Sequence, residues 1–160
     1  MKRIAWIDPD TGVLSICTPN YNGVTRPDGE TDDELVARLA TLRVPDGVSY
    51  TIFDDIDAGV TDFLADRTFR NGWTINSDAV VVDMSKARGI HMDKIRRMRN
   101  KELAALDITF MRAVEDDDTD AQATIKAKKQ ELRDIPQTFD LTTDTADELK
   151  QKWPEGLPKE

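Results

Sequence analysis

The chain has 160 residues and a net charge of −9, with 31 Asp/Glu against 22 Lys/Arg, a balance that argues against general nucleic-acid binding. Its length suits one domain, or a small head with an appended hairpin. A single cysteine, Cys17, excludes an internal disulfide and makes the cytosol the natural compartment.

At the N-terminus, Met1 to Ile7 meets Asp8 and Pro9 too soon for a signal-peptide core. No apolar run approaches the length of a membrane span, so no membrane partner is expected. Ile4–Ile7 and Val13–Cys17 are rich in β-formers and predict two short strands. Between them, Pro9 presets φ and Gly12 accepts a positive φ, which predicts a hairpin turn. Pro19 to Glu30 reads as loop. Thr31-Asp32-Asp33-Glu34 is a capping box, and Leu35, Leu39 and Leu42 follow at helical spacing with Val36 beside them. The turn chemistry of Pro45-Asp46-Gly47 stops this helix near Arg43. Val48–Phe53 alternates as a strand. Arg70–Ile75 and Ala79–Val82 are strand-like, joined at Asn76-Ser77-Asp78.

Near Asp83 the period changes. Met92, Ile95, Leu103, Leu106, Phe110 and Val114 draw one helical stripe, with a gap at Arg99. Ala121, Ile125, Leu132 and Ile135 draw a second, interrupted by Lys128. A polar turn, Asp116 to Asp120, joins them, and two such stripes pack as antiparallel neighbours. Asp83 or Ser85 can cap the first helix, Pro136 ends the second, and a short helix is expected from Thr145 to Lys152. The resulting fold class is α+β. A small β-rich head with one helix (1–82) precedes a long antiparallel helical hairpin (83–136) and a short C-terminal tail (137–160).

The charge is uneven. Residues 1–80 hold 7 Lys/Arg against 14 Asp/Glu. Lys86, Arg88, Lys94, Arg96, Arg97, Arg99 and Lys101 crowd one short stretch opposed only by Asp93. This block lacks the aromatics that base stacking needs. It reads first as a solvated segment balanced by the acidic head, and second as a partner surface.

The residues offer no catalytic chemistry. His91 is the only histidine, and a lone one beside basic neighbours reads as a surface or packing residue. Asp116, Asp118 and Asp120 imitate the start of a calcium loop, but Ala121 stands where a glycine is needed and Ala127 where a bidentate Glu is needed. The acidic run Asp54, Asp55, Asp57, Asp62 and Asp66 lacks a defined ligand spacing. No glycine loop cradles phosphate, and no serine has a nucleophile's context. No catalytic, cofactor or metal residues are therefore expected.

Several segments together carry a resemblance. Arg99-Asn100-Lys101-Glu102-Leu103, then Asp107, then Lys129-Gln130-Glu131-Leu132-Arg133-Asp134-Ile135-Pro136-Gln137, then Trp153-Pro154 resemble the C-terminal region of the tail assembly chaperones of tailed bacteriophages. Ile108 stands where that family carries a Trp. Asp66–Trp73 followed by Asp83–Arg88 is similar to small proteins of phage tail gene clusters. The resemblance implies a non-enzymatic role in tail or tail-fibre assembly. The partner would be a tail or tail-fibre protein, and the setting the host cytoplasm during assembly. A structural place in the virion tail, as a baseplate or fibre adaptor, is the other role it leaves open, as is association of the chain with itself. Arg99, Leu103, Phe110, Lys128, Leu132 and Trp153 are the expected partner-binding residues, because the hairpin seam is incomplete at Arg99 and Lys128 and Trp153 is an amphipathic ring near the terminus.

Overall fold

The computed structural model describes residues 1–54, 66–77 and 79–159. Asp55, Asp57 and Asp62 of the acidic run, and Asp78 of the expected turn, lie outside the described residues. The chain divides into two compact units, Met1–Lys86 and Ala87–Glu160.

The first unit is built on β1 (Lys2–Ile7), which pairs antiparallel with β2 (Leu14–Cys17) on one side and β3 (Tyr50–Asp54) on the other. The β1–β2 turn forms as its sequence dictates. The Asp8 carboxylate accepts from the backbone N–H groups of Asp10 (3.1 Å) and Thr11 (2.8 Å), and Gly12 takes φ +66°. Alternation along β1 sends Ile4 to one face and Ala5 to the other. On the Ile4 face lies α1 (Asp32–Arg43), whose Leu35, Val36, Leu39 and Ala40 are buried with Val44. Its capping box is complete, with Thr31 and Glu34 bonded reciprocally. On the Ala5 face, Leu14 and Phe53 pack with Trp73 and Val80 of a two-stranded sheet, β4 (Trp73–Asn76) against β5 (Ala79–Val82). The central sheet is thus covered on both faces.

Two expectations for this unit need correction. Leu42 does not join the core: it is 68% exposed. The buried arc of α1 runs from Leu35 through Leu39 and Val36 to Ala40, which leaves Leu42 at its edge. The fourth strand begins at Trp73 rather than Arg70, because Arg70–Gly72 forms a 3-10 turn closed by Gly72 N–H donating to Phe69 O at 2.8 Å.

The second unit contains most of α2 (Met84–Glu115), all of α3 (Thr119–Thr138) and α4 (Ala146–Gln151). Asp83 caps α2, accepting from the N–H groups of Ser85 (2.9 Å) and Lys86 (3.2 Å). The turn to α3 uses Asp117 at φ +55° and Asp118 as N-cap. Pro136 does not end α3. The helix continues to Thr138, and Phe139 N–H still reaches Ile135 O at 2.9 Å. The proline gives up the bond its own nitrogen would have made to Leu132 O, and the helix ends two residues beyond it.

The two helices of the hairpin are unequal. α2 has 32 residues and α3 has 20, so at 1.5 Å per residue α2 overshoots by roughly 18 Å. The overshoot is at the N-terminal end of α2, and the chain after Thr138 returns to it. The tail expected as a separate segment therefore belongs to the same unit as the hairpin.

Candidate functional site

The seam of the hairpin has a definite register. Gln122 Nε2 donates to Ala113 O at 3.1 Å, and the Lys129 ammonium meets the Asp107 carboxylate. These two ties set Ile125 level with Phe110 and Leu132 level with Leu103, so Phe110 does not face Leu132. Ile95, Ala113, Ile125 and Leu132 are buried. Leu103, Leu106 and Phe110 are only half-buried. A pair of helices can cover one side of such a stripe and leaves the other to solvent or to a further element. Val114, expected to close the stripe, is 42% exposed, and Ala113 takes its place.

The expected contact residues fall into three groups. Leu103 and Phe110 line the half-open seam. Arg99 is half-buried there, with its guanidinium on Asn100 Oδ1 at 3.0 and 3.2 Å. Leu132 is buried, while Lys128 is exposed. The lysine on the seam is Lys129: its ammonium lies 5.4 Å from the Phe110 ring centroid, and that of Lys126 5.5 Å. Spacing admits either 128 or 129 between Ile125 and Leu132. The ring of Phe110 and the carboxylate of Asp107 select 129.

Trp153 is held inside its own unit. Its indole meets the His91 ring edge-on at 5.7 Å, and Trp153 Nε1 donates to Leu157 O at 2.7 Å. His91 is buried, and its Nε2 lies 2.7 Å from Lys152 O. A carbonyl only accepts, so Nε2 carries the proton. Arg88 donates to Thr143 O at 2.8 Å. Lys152 Nζ donates to Asp140 O and Thr142 O, each at 3.1 Å. Leu141, Leu149 and Leu157 are buried. The tail is thus tied to the α2 overshoot through Arg88, which the sequence marks only as a member of the basic block, and through His91, of whose two readings, surface or packing, the second holds. A shallow groove lined by Thr142, Thr143, Asp144, Glu148, Gln151 and Lys152 opens beside it.

Arg96 pairs with Asp93 one turn away. Asp118 spends its carboxylate on capping α3, and Asp54 pairs with the N-terminal ammonium. Among the described residues, no group of three or more His, Cys, Asp or Glu is placed to hold a metal ion, and no helix is long and apolar enough to cross a membrane. No family model, curated protein or solved structure matches the chain.

Proposed function

We propose that this chain is a non-enzymatic assembly protein of a tailed bacteriophage. In this reading it binds a tail or tail-fibre component through its hairpin unit in the host cytoplasm. The observation that carries the reading is the half-open seam, where Leu103, Leu106 and Phe110 stay half-buried along a hairpin with no third long helix among the described residues. A helix from a tail protein could complete that seam by burying the same stripe. The segments that resemble the tail assembly chaperones support the same reading, because they supply this unit's ties: Asp107 to Lys129, Leu132 in the seam, and Trp153 against His91.

Quantifying the chain in purified particles tests the role. A transient assembly factor is abundant in infected cells and absent from finished particles. A fixed stoichiometry in the particle would instead make it a structural tail component.

A further inference from the structure

The outer face of α2 carries a second stripe, opposite the seam. Arg97, Lys101, Ala104, Ile108, Met111 and Glu115 recur at alternating steps of four and three, a heptad pattern. Ile108 and Met111 are 59% and 58% exposed, and Ala104, Lys101 and Glu115 are also exposed. Cations occupy one end of the stripe, apolar residues the middle, and acids the other end, where Asp116, Asp117 and Asp118 follow Glu115. Such a stripe is complementary to its own reversed copy.

We propose that α2 pairs antiparallel with α2 of a second copy of this chain about a two-fold axis near Ile108. Turning the helix about that residue sets Ile108 beside its own copy and Met111 near Ala104. Lys101 then stands level with Glu115 at both ends of the contact. Parallel pairing would put Lys101 on Lys101 and Glu115 on Glu115, so charge selects the antiparallel arrangement. A 3.5-residue repeat lets the two helices follow one another as a left-handed supercoil. The apolar centre is short, so the dimer is weak and sensitive to salt.

Sedimentation velocity on the full chain tests this, from about 1 µM to about 1 mM protein and in about 0.05 M and about 0.5 M salt. The wild-type chain should dimerise with rising concentration, less so in high salt. Lys101→Glu alone and Glu115→Lys alone each convert two attractive pairs into two repulsive ones. Each should weaken the dimer by about tenfold or more. An equal mixture of those two variants restores opposite charges at both pairs and should recover association, as should the double variant. Circular dichroism confirms that each exposed-site variant stays folded. A wild-type chain monomeric throughout, single swaps without effect, or a mixture that fails to recover would each overturn the proposal. The first of these would leave the stripe to a helix of another protein.

Discussion

The His91 ring stands edge-on to the Trp153 indole, 5.7 Å between centroids and 78° between planes. This contact brings the last turn of the tail onto the part of α2 that α3 is too short to reach. Edge-to-face aromatic pairs add to the area they bury. Trp153→Ala should therefore lower the stability of the helical unit, by about 2–3 kcal/mol for a half-buried ring. Urea unfolding measures the loss. Hydrogen exchange on the same variant should be faster near His91 and unchanged near Ile125.

The α3 seam offers a sharper contrast. Leu132→Ala removes a buried side chain and should cost about 2–4 kcal/mol. Lys128→Ala, on the exposed side of the same helix, should stay within about 0.5 kcal/mol of wild type. Equal melting temperatures for the two variants would mean that the register set by Gln122 and Lys129 is wrong.

Phe110→Ala should cost about 1.5–2.5 kcal/mol, less than a fully buried ring would. The ring also organises the ammonium groups of Lys126 and Lys129. Phe110→Leu keeps apolar area but removes the π face. It should retain most of the stability while loosening Lys129, visible as a change in its side-chain NMR shifts.

Acid should destabilise the fold, and the sign follows from the carboxylates. Glu30 is held below its ordinary pKa first by its hydrogen bond from Arg38, Glu34 by the Thr31 backbone N–H, Asp8 by the Thr11 backbone N–H, and Asp140 by Thr142. A lowered folded pKa contributes stability that is present above the unfolded value and lost as pH falls through the folded one. The melting temperature should be flat near neutrality and fall as pH drops below about 4.5, the ordinary glutamate value. Glu34→Gln should lower the neutral plateau and shrink the acid-dependent part of the curve.

Much of the fold is legible in the residues. The Thr31–Glu34 capping box, the Asp8–Gly12 turn and the change of period at Asp83 each act over a few neighbours, and each is found where it is expected. For the start of β4 the cause of the misplacement is local, the 3-10 turn of Arg70–Gly72, but others turn on contacts made far along the chain. Lys128 and Lys129 both satisfy the helical spacing, and only the partner residues Phe110 and Asp107 decide between them. Val114 and Ala113 differ in hydrophobicity in the wrong direction for their burial, because position on the helix outweighs residue type. The tail's destination depends on the length difference between α2 and α3. Pro136 hides that difference, because it reads as a helix end and sits inside the last turn instead.

Affinity purification of the tagged chain from infected cells during particle assembly, read by mass spectrometry beside a Leu103→Asp variant, tests the proposed function most directly. Leu103 is half-buried on the open seam, so the change places a charge where a partner helix would pack. The expected result is one enriched tail or tail-fibre protein with the wild-type chain, lost with the variant while the variant's circular dichroism stays helical. Recovery of no phage structural protein, or equal recovery by the folded variant, would contradict a tail-assembly role for this seam.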